Sequence, residues 1–288
     1  MLKNIEFIEN VELKNYSTMK IGGAAKIIVF PKNHYELKTV LKNLNGEKFF
    51  VLGNGSKVLF DDSGFDGTII SLKKFNKIVE YDNKCLKVGA GVNLFALNRF
   101  LANKGLSGLE WSYGIPATVG GAIFMNAGSF GHEICESLLE VEVLKDGKVQ
   151  KLKRKDISFQ YRRSNLDGCI ILYAKFRFRQ GSKEEVELNM KETIEKKYNS
   201  QPCNYPSLGS VFKIINEKQV TYPSQLIDKM GLKGVKIGGA EISKKHAGFI
   251  INTGDATAKD VLALVEFIEE KLLEEGFKPE REIVFCKD

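Results

Sequence analysis

"GIPATVGGAIFMNAGSFG", residues 114–131, holds five glycines and three alanines in eighteen positions, carries no charged side chain, and has Asn126 as its polar focus. Glycine loses more conformational freedom on folding than any other residue, so such density needs a reason: a positive φ, close packing, or a ligand lying against the main chain. Upstream, "LGNGSKVLF" (52–60) sets Gly53, Gly55 and Ser56 just after a strand pattern, a turn that is either an ordinary strand-to-helix connection or an anion-binding concavity of successive N–H groups. This is neither a dinucleotide fingerprint, which would need a glycine where Val58 stands, nor a Walker loop. Taken together, the two bare stretches suit an extended cofactor with a pyrophosphate between two ring systems, with Pro116 stiffening one of the loops.

Working outward, "HYELKTVLKNLN" (34–45) has helical periodicity, and "FFVL" before the first glycine turn reads as a buried strand. "TIISL", "KIVEYDN" and "CLKVGAG" are short β-prone runs, followed by an amphipathic helix "NLFALNRFLANKG" that Gly105 closes. Beyond the glycine-rich segment, Asp146-Gly147 signals a hairpin, and "CIILYAKFRFRQ" alternates as a half-exposed strand does. "GSKEEVELNMKETIEKKYNSQP" is a charged helix running into a polar loop, and the texture change places a domain boundary near residues 180–205. From there "LGSVFKII", "YPSQLIDKMG", "HAGFIINTG", "TAKDVLALVEFIEEKLLEEG" and "REIVF" form a small α/β layer.

At 288 residues the chain has room for two domains, each with its own core. Its net charge of +7 is scattered rather than gathered into a basic tract, so nucleic-acid binding is not expected. Cys85, Cys135, Cys169, Cys203 and Cys286 are widely spaced, with no C-x-x-C and no nearby histidine pair, so no metal site or redox pair is expected. The odd count and the absence of a secretory pattern point to a reducing cytoplasm, and no run reaches the about 18 apolar residues a membrane span requires.

Three short motifs carry candidate chemistry. "FQYRRS" (159–164) groups Tyr161, Arg162 and Arg163, whose planar forks suit carboxylate or phosphate, although solvation accounts for at least one of the two arginines. "SLGSVFK" (207–213) places Ser210 after a glycine with Lys213 nearby. There is no G-x-S-x-G elbow, and histidine is scarce (His34, His132, His246), which argues against a serine hydrolase. "FKPEREIVF" sets Glu280 and Glu282 one alternation apart, so on a strand both carboxylates would face the same way.

The series "KIGGAAKIIVFPKN", "LGNGSKVLFDDSGFDGTII", "GLEWSYGIPATVGGAIFMNAGSFGHEI", "FQYRRS", "LGSVFK", "LIDKMGLKGVKIGGAEISKKHAGFIINTGDATAKDVL" and "EREI" closely resembles the UDP-N-acetylenolpyruvoylglucosamine reductase family, in its shorter subtype. The motifs match in order from about residue 15 to 285, and as a set they are far more specific than any one of them. The resemblance implies an α+β protein: a vanillyl-alcohol-oxidase-type FAD-binding domain over 1–190, in subdomains of about 1–72 and 73–190, then an α/β substrate-binding domain over 200–288. It implies FAD and NADPH as cofactors, UDP-N-acetylglucosamine-enolpyruvate as a small-molecule substrate, no nucleic acid, no membrane insertion, and a cytoplasmic monomer.

Carried over residue by residue, Arg162, Ser210 and Glu282 take the positions of the family's active-site arginine, proton-donating serine and C-terminal glutamate. The choice between Glu282 and Glu280 for that carboxylate stays open. Gly53, Asn54, Gly55, Ser56, Lys57, Tyr113, Gly114, Pro116, Thr118, Gly120, Gly121, Asn126, Ala127 and Gly128 are the expected FAD-binding positions. Tyr161, Lys213, Gln225 and His246 are the expected substrate contacts. There are two departures: Ile214-Ile215 stand where the family usually has Asn-Pro, and Lys57 replaces a common Asn. Another flavin-dependent oxidoreductase would not need the C-terminal motifs, and a flavin-sequestering protein would not need Arg162, Ser210 and Glu282 together.

Overall fold

Strand and helix alternate irregularly through the chain in the computed structural model, which describes residues 5–216 and 220–287. The chain forms two compact units that are not linear in sequence. One comprises residues 5–9, Ile27–Asn54 and Gly67–Lys196; the other comprises Asn10–Lys26, Gly55–Asp66 and the described residues from Lys197 onward.

Two larger sheets lie mainly in the first unit. One has the strand order Glu6–Glu12, Ala24–Phe30, Phe65–Ser71, Phe49–Leu52, with Phe49–Leu52 running parallel to its neighbour. The other is a five-stranded antiparallel sheet ordered Lys148–Lys153, Leu138–Lys145, Ile170–Arg177, Cys85–Gly89, Ile78–Asp82. The hairpin between its first two strands turns at Asp146-Gly147, at φ 48° and 70°. Both residues adopt the left-handed conformation that lets a two-residue turn match the sheet's twist. Helix His34–Asn43 starts where the Asn33 side chain accepts from the N–H groups of Tyr35 and Glu36, and it buries Leu37 and Val40 on one face. Helix Leu94–Asn103 does the same with Asn93 as cap and Leu94, Leu97 and Leu101 inward. These side chains join Val88, Trp111, Val119, Ile123, Val141, Val143, Leu172 and Phe176 in one core.

Glu6–Glu12 is an edge strand that keeps most of its side chains in water. One element differs from the sequence reading. Val119–Phe124, inside the opening stretch, is a short helix in spite of Gly120 and Gly121, with the Thr118 hydroxyl accepting at its N-terminus from the N–H of Gly121. Glycine in a helix costs about 1 kcal/mol relative to alanine.

The second unit is a four-stranded antiparallel sheet, ordered Ser207–Ser210, Phe249–Asn252, Ala240–Ile242, Lys236–Ile237. Helix Ala258–Glu274 packs on it through Val261, Leu264, Val265, Ile268 and Leu272. A reciprocal box of Thr257 and Asp260 opens that helix. The segments from the N-terminal half are tied in by specific bonds. The Asp62 carboxylate accepts from the N–H groups of Ala258 and Lys259 at 2.7 and 3.1 Å, an anion at the positive end of a helix. The Asn252 amide donates to the Met19 carbonyl at 3.1 Å. Strand Val58–Phe60 runs parallel to Val284–Cys286, with Leu59 fully buried in the core.

Candidate active site

In the first unit the chain leaves strand Phe49–Leu52 into Gly53 and Asn54, and the Asn54 amide donates to the Pro116 carbonyl at 2.8 Å. That bond sets the first glycine turn against the second glycine-rich stretch. The approach is close, since a Cβ on Gly53 would lie 2.7 Å from Thr118 Oγ1. The two glycines of the short helix face different surroundings. Gly120 donates to the Ala90 carbonyl at 2.8 Å, and a Cβ there would stand 2.9 Å from Ala90 Cβ, so this glycine packs against protein. Gly121 turns to open space: an added Cβ would meet only Thr118 Oγ1, at 3.4 Å. Gly53, Asn54, Gly114 and Pro116 are exposed and Gly121 is half-buried, which leaves a cradle of bare backbone. Beside it, Tyr113 stacks on Phe95 with ring centroids 4.8 Å apart.

The second half of the stretch holds a hairpin. Strands Phe159–Gln160 and Arg163–Ser164 turn at Tyr161-Arg162, and three bonds fasten this turn to residues 124–128. The Asn126 amide donates to the Gln160 carbonyl at 3.0 Å, the Arg162 guanidinium to the Gly128 carbonyl at 2.7 Å, and the Ser164 hydroxyl to the Phe124 carbonyl at 2.7 Å. Ala127 is fixed between Ala122 and Ile134 by main-chain bonds of 2.7 and 2.9 Å. Arg162 sits at φ 54° and Asn126 at φ 42°. A non-glycine residue in this region costs about 1–3 kcal/mol, and such strain gathers at functional sites. The Arg162 guanidinium lies 4.6 Å from the Tyr161 ring centroid, whereas Arg163 is solvated. Asn126 is fully buried, and its Oδ1 has no hydrogen-bond partner among the described residues. An unpaired buried acceptor costs about 1–3 kcal/mol, so this oxygen is suited to a ligand N–H or a water.

In the second unit the C-terminal segment threads between two others. The N–H of Lys213 donates to the Glu280 carbonyl at 2.9 Å, that of Glu282 to Val211 at 2.7 Å, and that of Val284 to Lys57 at 2.7 Å. Glu282 thereby comes to lie beside Ser210 and Lys57. Its carboxylate is buried, at 6% exposure, and Oε1 is 2.9 Å from the Lys57 ammonium. The same ammonium donates to the Ser210 carbonyl at 2.8 Å. Glu280 is different: 72% exposed, it pairs with Lys213 at 2.5 Å. The expectation that both glutamates face one way is corrected, because regular strand begins only at Val284. Glu282 is thus the enclosed carboxylate.

The remaining expected residues of this unit are scattered in character. Gly55 is pressed against Tyr16, where a Cβ would lie 2.0 Å from the carbonyl oxygen, and it adopts φ 63°. Ser56 is half-buried, and Gln225 is exposed on helix Pro223–Lys229. His246 Nδ1 accepts from the N–H of Gly248 at 3.1 Å, and burial holds the imidazole below its usual range, so the neutral ring is favoured. Among the described residues no cluster of His, Cys, Asp and Glu is arranged to hold a metal ion, and no helix is long and apolar enough to cross a membrane.

A family model described as an FAD binding domain matches residues 25–153. The model for the C-terminal domain of UDP-N-acetylenolpyruvoylglucosamine reductase matches residues 201–286. The UDP-N-acetylenolpyruvoylglucosamine reductase of Streptococcus pneumoniae (strain Hungary19A-6) is 40% identical, over 98% of this chain and 96% of the relative. The chain belongs to the UDP-N-acetylenolpyruvoylglucosamine reductase family. It is accordingly an FAD-dependent oxidoreductase. The crystal structure of the Thermus caldophilus reductase superposes with a TM-score of 0.85 at 36% identity, covering 99% of both chains.

FAD fits the residues of this reductase-family chain. The bare cradle at Gly53, Asn54, Pro116 and Gly121 offers backbone to a diphosphate without side-chain obstruction. Asn126 Oδ1 offers a buried acceptor. Lys57, expected in the cofactor loop, sends its ammonium to Glu282 and the Ser210 carbonyl. No local pattern signals a partner so distant along the chain.

Proposed function

We propose that this chain reduces the enolpyruvyl ether of UDP-N-acetylglucosamine-enolpyruvate to UDP-N-acetylmuramate for peptidoglycan synthesis, with NADPH as reductant, working as a cytoplasmic monomer. The observation that carries this reading is the enclosure of Glu282 beside Ser210 in a chain that is 40% identical to a named reductase along nearly its whole length. Gly53, Asn54, Tyr113, Gly114, Pro116, Thr118, Gly121 and Asn126 are the residues proposed to hold FAD. When bound, FAD supplies hydride chemistry: two electrons and a hydrogen pass from NADPH to the methylene carbon of the enolpyruvyl group.

The protein's part follows from its own side chains. Hydride addition builds negative charge on the neighbouring carbon and its carboxylate. Arg162, permanently cationic and held by the Gly128 carbonyl, is proposed to stabilise that enolate from a fixed position, without reorganisation during the reaction. The Ser210 hydroxyl is proposed to deliver the proton to the carbon bearing the carboxylate. It is a poor acid in water, but an enolate carbon is basic enough to take its proton in an organised site. Glu282 Oε1 accepts from Lys57, and Glu282 is proposed to assist the enolate through its other oxygen, directly as a donor or by way of a bridging water. Tyr161, Lys213, Gln225 and His246 are proposed to contact the sugar nucleotide. The test is NADPH oxidation by the flavin-loaded protein with and without the enolpyruvyl sugar nucleotide: the reading expects oxidation coupled to that substrate, and uncoupled or absent oxidation overturns it.

A further inference from the structure

Lys57, its side chain 25% exposed, brings a cation to the buried Glu282 carboxylate in the second unit. Its ammonium is 2.9 Å from Glu282 Oε1 and 2.8 Å from the Ser210 carbonyl oxygen. Its own carbonyl accepts from the N–H of Val284 at 2.7 Å. Lys57 therefore grips the C-terminal segment at two points, by side chain at Glu282 and by main chain at Val284. It also grips the strand that ends in Ser210. A Cβ at Gly209 would stand 3.3 Å from the ammonium, so the path of the lysine runs along the Gly209-Ser210 backbone.

The charge has a consequence as well. A buried carboxylate next to a reacting centre that itself becomes anionic would oppose the reaction by like-charge repulsion, which is strong where water is scarce. With Lys57 in contact, Glu282 and its partner present a neutral pair. A buried pair contributes little to stability, because desolvation offsets attraction, but removing one partner leaves the other charge uncompensated.

We infer that Lys57 is a positioning residue for the reduction of the enolpyruvyl ether, fixing the Glu282 carboxylate and the Ser210 backbone together and cancelling the carboxylate's charge during enolate formation. This rests on the function proposed above. On this account Lys57 acts through Glu282 and touches neither FAD nor NADPH.

The test measures the two half-reactions by stopped-flow flavin absorbance in Lys57→Met, Lys57→Arg, Glu282→Gln and the Lys57→Met/Glu282→Gln double variant, with FAD content determined for each. Lys57→Met is expected to keep its FAD, to be reduced by NADPH at the wild-type rate, and to be reoxidised by the enolpyruvyl sugar nucleotide roughly 10–100-fold more slowly at saturating substrate, a coupling of usual size for contacting charges. Lys57→Arg, which keeps the cation, is expected to recover most of that rate. In the Glu282→Gln background the methionine is expected to cost clearly less than in the wild-type background, because the charge it served to cancel is gone and only the bond to the Ser210 carbonyl is lost. A purely structural lysine would instead give additive losses in the double variant, and that result overturns the inference. Loss of FAD from Lys57→Met also overturns it, since the side chain would then be holding the cofactor. If Lys57→Met does not fold, Lys57→Arg and the double variant still decide: failure of arginine to support reoxidation contradicts the assignment. Wild-type reduced flavin that ignores the enolpyruvyl substrate would overturn the proposed function itself, and this inference with it.

Discussion

Replacing Gly121 by alanine and by valine separates the protein's own packing from that of its cofactor. A Cβ at Gly121 meets nothing nearer than Thr118 Oγ1 at 3.4 Å, an ordinary contact, and the residue lies in helix Val119–Phe124. Alanine there should stabilise the flavin-free protein by up to about 1 kcal/mol, the helix preference of alanine over glycine, or ~2 °C in melting temperature for a chain of this size. Gly120 is the control. Its Cβ would lie 2.9 Å from Ala90 Cβ and 3.2 Å from the Ala90 carbonyl oxygen, so alanine at 120 overpacks and should destabilise the flavin-free protein by about 1–3 kcal/mol. FAD binding should follow the opposite order. Volume added at 121 protrudes into the cradle, and valine should weaken FAD by roughly 10–100-fold, the same overpacking cost expressed as affinity. Thermal melts of deflavinated protein and fluorescence titration with FAD measure both quantities. Wild-type FAD affinity in Gly121→Val would refute the cradle as the cofactor site, and a marked loss of flavin-free stability in Gly121→Ala would refute the packing argument.

Arg162→Gly should leave stability within about 1 kcal/mol of wild type. Relief of φ strain, about 1–2 kcal/mol, is offset by glycine's freer unfolded chain and by the lost bond to the Gly128 carbonyl. Reoxidation by substrate should nonetheless slow at least about 100-fold, and a variant that unfolds without losing turnover per folded molecule would contradict the assignment. Burial pushes Lys197 down to about 8 from 10.5, with Cys203 acting weakly in the opposite direction. Between those values the unfolded chain binds more protons than the folded one, so stability rises with pH across that window. By that gap the rise is on the order of 3 kcal/mol. Lys197→Met should be more stable than wild type at neutral pH, with the difference shrinking as pH approaches about 10; denaturant midpoints that run parallel across this range rule the explanation out.

The local parts of the fold were legible because each had a local cause. Asn33 caps the helix that the periodicity of residues 34–45 indicates, and Asp146-Gly147 makes the hairpin turn its chemistry demands. The helix Val119–Phe124 was hidden by its own glycines, whose helical propensity is poor and whose presence is explained by Ala90 on one side and the open cradle on the other. Nor does any local pattern show that residues 10–26 and 55–66 fold with the C-terminal unit. Their attachment rests on contacts between distant positions, such as Asp62 with Ala258. The site followed the same division. Residue types at Arg162, Ser210 and Glu282 were readable from motifs, and the distinction between Glu280 and Glu282 came only from burial. Arg162's strained backbone and its anchoring by Gly128 belong to the hairpin's tertiary contacts.

Ser210 is proposed to protonate the substrate after hydride transfer, and stopped-flow flavin absorbance of Ser210→Ala puts that role to the test. On the proposed order of steps protonation comes after flavin reduction, so reduction by NADPH should proceed at close to the wild-type rate. Reoxidation by the enolpyruvyl sugar nucleotide should fall by a factor on the order of 10²–10⁴, the usual loss on removing a positioned acid. A variant that is slowed equally in both half-reactions, or in neither, would show that Ser210 is a turn residue at the end of its strand and that the proton comes from elsewhere.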